Sequence, residues 1–340
     1  MTDARHVTAI MLAYGAEPYL HDAVAAVLDS EGVTVELVLV DNGCTTDAVT
    51  TLPADPRVHV VTPERNLGFT GGVDLGASRA TAPVLVLVNS DAIVEPGAVR
   101  ALAEALDEPA TGLVSGLVTL GEDPDVVNSV GNPVHVLGLS WAGHMGDPAE
   151  AHATPTDIPS VTGALMAART STWSELGGFP PEYFAYLEDL ELSWRTWQRG
   201  LRVRYVPTAR AVHHYEFSRS PLKMYLVERN RLLFLATCYS GRLLALLALP
   251  LLAFEVAITA VAVAQGWGRQ KVAGWRWVLG HLRWVRARRR EVQAARLVPD
   301  RELAHLLSTR FDPAQFPLPP GGGLLQAVLA GWWRAARRLL

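Results

Sequence analysis

The sequence predicts an α/β domain built on a mostly parallel central sheet flanked by helices, followed by a helical C-terminal region that associates with membrane. Three observations carry this expectation. Short apolar runs alternate with stretches of helical spacing through the first hundred positions, the pattern of βαβ units. One run, Val84 to Val88, is apolar at every position, as a parallel strand buried on both faces must be. Beyond Pro221 the composition shifts, and residues 243–264 hold one charge, Glu255, and one proline, Pro250.

The elements follow in order. Residues 7–13 have the length of a buried strand, and residues 18–30 space Leu20, Val24, Val27 and Leu28 as a helix does. Residues 35–40 and 57–62 read as the second and third strands, residues 72–80 as a helix after a glycine-rich turn, and residues 84–88 as the fourth strand. Pro96 opens a helix that runs to Leu106, since a first-turn proline sacrifices no hydrogen bond. From Leu113 to Ala168 short extended pieces alternate with Gly, Pro and His, and these are read as the second half of the same domain. The expected division is a domain over residues 1–235 and a helical region over 236–340.

Of 340 residues, 49% are hydrophobic and 19% charged, so a large core is available. The net charge of -4 conceals an asymmetry. From Gln265 onward 14 Arg and Lys face 4 Asp and Glu, so the tail is basic and the body strongly acidic. An acidic body excludes a nucleic-acid partner, while a basic, Trp-rich tail suits an anionic membrane surface. Cys44 and Cys238 have no paired spacing, so cysteine usage suggests neither a disulfide framework nor a zinc site. The start of the chain has no apolar signal core. Residues 243–264 are long enough to cross a bilayer, at about 1.5 Å per residue, or to lie along it, or to be buried in protein. Basic flanks would keep the body on the cytoplasmic face, held peripherally or by that one helix.

Acidic residues close several of these strands. Val40-Asp41-Asn42 and Val88-Asn89-Ser90-Asp91 follow apolar runs, and strand C-terminal ends are where open α/β sheets bind ligands. A third acidic group, Glu188, Asp189 and Glu191, follows the loop from Gly177 to Leu187. It suits a helix N-terminus, with Glu191 able to pair with Arg195 at i,i+4, and it equally suits a general base projecting into a cleft.

Taken together and in order, Tyr14, Asp41-Asn42-Gly43, Arg65-Asn66-Leu67-Gly68-Phe69, Asn89-Ser90-Asp91, Thr162-Gly163-Ala164, Gly177-Gly178-Phe179, Glu188-Asp189, Arg195 and His213 resemble the inverting glycosyltransferases of family 2. The likeness is to bacterial rhamnosyltransferase-type members and covers residues 7–230.

That resemblance implies a GT-A fold. The activity it implies is transfer of one sugar from a dTDP- or UDP-linked donor to a hydroxyl of a glycan or lipid-linked acceptor, in cell-envelope polysaccharide synthesis. Ala13, Tyr14, Asp41, Asn42, Arg65, Asn66, Gly68, Asn89 and Ser90 would bind the donor. Asp91 and His213 would hold a divalent cation, Mn²⁺ or Mg²⁺. Thr162, Gly163 and Ala164 would shape the acceptor and sugar pocket. Asp189 would be the base, Glu188 its alternative, and Arg195 a cation beside the developing charge. Departures are Ala13 where Asn often precedes Tyr14, and Asn89 where a second acid is frequent. The Gln-x-x-Arg-Trp pattern of processive synthases is missing, so single-residue transfer is expected. Asn89 also leaves open a catalytically inactive, transferase-fold scaffold at the membrane.

Overall fold

A computed structural model describes residues 4–215, 220–312, 315 and 322–340. They form two compact units, one drawn from residues 4–132, 142–196 and 201–215, the other from 133–141, 197–200 and the described residues from 220 onward.

In the first unit β1 (Arg5–Gly15), β2 (Val33–Cys44), β3 (Val58–Val61) and β4 (Val84–Val88) lie in the order β3-β2-β1-β4, all parallel. The connections between parallel strands carry the helices α1 (Leu20–Leu28), between β1 and β2, and α2 (Gly68–Ala77), between β3 and β4. The sheet continues through β5 (Ala92–Val94), β6 (Thr111–Leu120) and β7 (Val127–Ser129). After β8 (Val134–His135), which belongs to the second unit, come β9 (Thr156–Asp157), β10 (Leu165–Arg169) and β11 (Arg202–His213). The full order is β3-β2-β1-β4-β10-β6-β11-β5, with β10 antiparallel to both its neighbours and β11 parallel to β6.

Both faces of this sheet are covered, which is why its strands read as near-continuous apolar runs. On one face Val7, Ala9, Met11, Val86 and Val88 pack with Leu20, Val24 and Val27 of α1 and with Val99 and Leu102 of α3 (Ala98–Ala105). On the other, α2 lies close over β1. A Cβ added at Gly72 would meet Leu12 at 2.3 Å, and one at Gly76 would meet Ile10 at 2.6 Å. The helix therefore begins four residues before the expected Gly72. The glycine-rich stretch read as a turn before it is the helix's first turn, and Gly72 and Gly76 are the contact surface that lets helix and strand approach. The unit is completed by α4 (Thr170–Leu176) and by α5 (Glu188–Gln198), whose first turn is acidic.

The second unit is helical: α6 (Pro221–Cys238), α7 (Gly241–Ala264), α8 (Gly268–Gly280), α9 (Leu282–Ala294), the short α10 (Asp300–Leu303) and α11 (Gly322–Ala336). β8 pairs in parallel with β12 (Leu307–Ser308). Ser220 and Ser240 cap α6 and α7 by accepting from the N–H groups of Lys223 and Leu243. The sequence also predicts a helix breaker at the Pro- and Gly-rich residues 317–323, most of which lie outside the described residues.

Inside this unit Lys271 donates to Glu228 at 2.5 Å and to Glu255 at 2.6 Å, Arg231 bonds both acids, and the Trp275 indole N–H donates to Glu255. Two acids and two bases cancel, so the only charge on α7 beyond its first turn is neutralised. Elsewhere α7 is apolar and open. Leu249, Leu252, Val256 and Val263 are each 60% exposed or more, as are Leu324, Leu325 and Val328 on α11.

Backbone packs closely on backbone where β11 bulges between Val206 and Arg210, setting the Ala209 carbonyl over Gly116. A Cβ at Gly116 would stand 2.3 Å from that oxygen, and backbone cannot step aside as a side-chain tip can. Gly116→Ala is expected to cost about 1–3 kcal/mol, read from urea unfolding.

Candidate active site

The acidic strand ends are joined by hydrogen bonds. Asp91, just beyond β4, places Oδ1 3.0 Å from Nε2 of His213, the last residue of β11. The His214 N–H donates to the Asp91 carbonyl, pinning the two chain segments together, while the His214 ring stacks on Tyr19 at 3.9 Å. The other ring nitrogen of His213, Nδ1, lies 3.2 Å from Asn128 Oδ1, and Nε2 also meets Asn89 Nδ2 at 3.4 Å. Nε2–H is placed to donate to Asp91 Oδ1; a ring donating instead through Nδ1 to Asn128 would present its Nε2 lone pair beside that oxygen, as a bound cation requires. Two acceptors set 3.0 Å apart fit a cation that binds both, so the pair meets the chemistry of a divalent site, with Asn128 orienting the ring from behind. Burial raises the Asp91 carboxyl, but the hydrogen bond and charge of His213 outweigh it and hold the group below its usual range.

A second cluster lies at the start of α5. Glu188 is buried, and its Oε2 has no hydrogen-bond partner among the described residues. Asp189 keeps a partly open face and accepts from the N–H groups of Leu190 and Gly163 and from Asn132 Nδ2 at 3.1 Å. Burial pushes Asp189 up to about 6; burial and then the Asp189 charge push Glu188 well above the carboxylate range. The hydrogen bonds favour the charged form of Asp189, and nothing comparable favours it in Glu188. The preceding loop is strained: Phe184, Tyr186 and Leu187 have φ of 63°, 73° and 65°, at a cost of order 1–3 kcal/mol each.

Two chains of contacts connect the clusters. Gly163 donates to Asp189, the next residue's carbonyl accepts from Asn89 N–H at 3.1 Å, and the Asn89 side chain meets His213. On the other side Asn128 touches His213, its neighbour Ser129 donates to Asn132 Oδ1, and Asn132 donates to Asp189. The residue motif had not singled out Asn128 and Asn132. Their signal was two amides closely spaced in an otherwise apolar stretch ahead of Pro133.

Of the residues expected at the donor, Tyr14 is 60% exposed at the end of β1 and Ala13 is buried beneath it. Asp41 Oδ1 accepts from the N–H groups of Cys44 and Gly43, closing its own turn. Asn42 is buried and brackets the 65–68 loop, donating to Asn66 Oδ1 and to the Gly68 carbonyl and accepting from Leu67 N–H. Arg65 is exposed. Gly68 has φ of 71°, and a Cβ there would meet the Phe184 carbonyl at 2.4 Å, tying this loop to the strained one. Ser90 bonds Glu17, whose carboxylate also accepts from Tyr14 N–H at 2.6 Å and is raised by burial. Thr162 N–H donates to Ser115 Oγ at 3.3 Å, Ala164 is buried, and Phe69 lies over Gly163.

Arg195, expected beside the developing charge, is buried elsewhere. It pairs with Glu191 at 2.7 Å and donates to the carbonyls of Leu176 and Gly178, which occupies its guanidinium and braces the turn that carries Gly177-Gly178-Phe179.

Residues 8–176 match the model of the family described as Glycosyl transferase family 2. The chain is 28% identical over 271 residues to the N-acetylglucosaminyl-diphospho-decaprenol L-rhamnosyltransferase of Mycobacterium tuberculosis, covering 71% of this chain and 87% of that one. It is 36% identical over 104 residues to the succinoglycan biosynthesis protein ExoO of Rhizobium meliloti, 30% of each chain. Its fold is similar to that of GalNAc-T7, solved with UDP, GalNAc and Mn²⁺, with a TM-score of 0.59 at 16% identity. That match spans 72% of this chain but about half, 51%, of the other. The mannosyltransferase PcManGT from Pyrobaculum calidifontis, in complex with GDP-Man and Mn²⁺, aligns over 85% of both chains with a TM-score of 0.50 at 18% identity.

Removing one partner of a buried ion pair leaves the other charge uncompensated. Arg195→Ala is therefore expected to destabilise the fold by about 3–5 kcal/mol, seen as a lower thermal midpoint rather than a selective loss of activity.

Proposed function

Because this chain belongs to glycosyl transferase family 2 and is a glycosyltransferase, we propose that it moves one sugar, with inversion, from a nucleotide-diphosphate donor, dTDP- or UDP-linked, to a hydroxyl of a glycan or lipid-linked acceptor of the cell envelope. The observation that carries this reading is the pair of contact chains from Asp189 to His213 and Asp91, which support a single site with a base at one end and a cation-binding pair at the other. Asp189 takes the acceptor hydroxyl's proton as that oxygen bonds to the anomeric carbon. The bond from that carbon to the leaving diphosphate breaks, its electron pair going to the phosphate oxygen. Glu188, kept protonated, is a hydrogen-bond donor beside the base. Asp91 and His213 are the residues to hold Mn²⁺ or Mg²⁺, which when bound neutralises charge on the diphosphate. Tyr14, Asp41, Arg65 and Asn66 offer exposed or strand-end groups to the nucleotide. Arg65 supplies an exposed cation for phosphate.

The uncovered apolar residues of α7 and α11 and the basic residues near them support attachment to an anionic membrane surface, with α7 lying on the bilayer or crossing it. A lipid-linked acceptor is met at such a surface.

The test is a transfer assay with a panel of nucleotide sugars and Mn²⁺. Asp189→Asn is expected to keep donor binding and lose about a hundredfold or more in kcat; wild-type turnover in that variant would refute the assignment. The rate should climb roughly tenfold per pH unit up to about pH 6 and level off above it, because the base must be ionised. Asn132→Leu removes a hydrogen bond to the charged form and should shift that limb to higher pH. For the membrane, full-length protein should float with vesicles containing anionic lipid and remain behind with neutral vesicles at high salt.

A further inference from the structure

The chain between β8 and β9 holds a second constellation that the transfer reaction does not use. His144 Nδ1 lies 3.1 Å and His152 Nε2 lies 3.0 Å from the same atom, Asp147 Oδ2. The two imidazole rings stand 4.5 Å apart between centroids, and one donor atom from each of the three residues falls within 4.8 Å of the other two. Donors held at about 2.0–2.1 Å around a tetrahedral or octahedral ion are themselves roughly 2.9–3.4 Å apart, so two of the three edges already have the length a metal imposes.

The backbone beneath these side chains is fixed. Gly146 N–H donates to the Val127 carbonyl and Val127 N–H to that of Asp147, both at 2.9 Å, which hangs the loop on β7. Asp147 N–H closes a turn onto the His144 carbonyl at 3.0 Å, and the Tyr205 hydroxyl donates to the His152 carbonyl at 2.8 Å. His144 holds φ of 60°, a left-handed conformation that turns its ring toward Asp147 instead of along the chain. Asp147 and His152 are half-buried and His144 is exposed, so the open side faces solvent and can admit an ion with a water as its remaining ligand.

We propose that His144, Asp147 and His152 form a binding site for a divalent transition metal of the Zn²⁺ class, separate in its residues from the Asp91 and His213 pair. Two imidazoles and one carboxylate favour Zn²⁺, Co²⁺ or Ni²⁺ over Mg²⁺ or Ca²⁺, which prefer all-oxygen sets. Bound there, the ion closes residues 144–152 into a loop and stiffens the segment that leads from β8 to β9.

The test uses full-length protein stripped with chelator and exchanged into metal-free buffer, with Co²⁺ and Zn²⁺ as probes. Asp91→Asn/His213→Ala protein is expected to bind one equivalent of Co²⁺ with visible d–d absorption, displaced by Zn²⁺. At about a hundredfold excess over Kd, Zn²⁺ should raise the thermal midpoint by roughly 5 °C. His144→Ala/His152→Ala in the same background should lose the absorption and the shift, and single His144→Ala, at an exposed position, should weaken binding by about tenfold or more while remaining folded. Absence of a Co²⁺ spectrum in the parent, or a spectrum and shift that persist in the double histidine variant, would overturn the site.

Discussion

Two carboxyl groups held next to each other inside protein, Glu188 and Asp189, set the terms for the rest of the site. An ionised carboxylate leaves water only when other donors replace it. Asp189 obtains three, from Leu190, Gly163 and Asn132, and each comes from a different piece of chain. The loop before β10, the loop after β7 and the first turn of α5 are thereby drawn to one point. Glu188 lacks such donors, and the cost of charging it keeps its proton in place. One environment thus treats two adjacent, similar side chains differently, solvating one carboxylate with donors and leaving the other without them.

The strain ahead of α5 belongs to the same arrangement. Phe184, Tyr186 and Leu187 occupy left-handed backbone that side chains disfavour. The conformation is held from several directions: Thr70 N–H donates to the Phe184 carbonyl at 3.1 Å, Gly68 leaves room for that carbonyl, and Arg195 with Glu191 fastens the turn before it. The Glu191–Arg195 pair spends its charges on positioning. An acidic run that includes one catalytic candidate therefore also contains its own scaffold, and spacing alone could not separate the two.

In the second unit the same economy of charge operates in an apolar setting. Glu255 would oppose contact with lipid if it stood alone, yet it is matched by Arg231, Lys271 and Trp275 while α7 keeps its outward residues apolar. Neutralising a helix charge from neighbouring helices leaves the exposed side of α7 apolar beyond its first turn.

Much of this was legible in the residues. Alternating apolar runs and helical spacings determine a sheet with helices on both faces, because no other arrangement buries Val84 to Val88 completely. The order of acidic and glycine-containing strand ends points to the family, and an apolar helix over residues 243–264 follows from hydropathy, the folded helix starting two residues earlier at Gly241. Other features depend on contacts between residues far apart in the chain. Gly72 reads only as the start of a helix until Leu12 is seen against it, and Asn42 reads as a ligand-facing amide until it is found bracketing residues 66–68. Asn132 reads as a loop amide until Asp189, 57 positions away, is found on its side-chain nitrogen. Only the folded chain decides these cases, since a hydrogen bond or a van der Waals contact acts over a few ångströms of space whatever the separation in sequence.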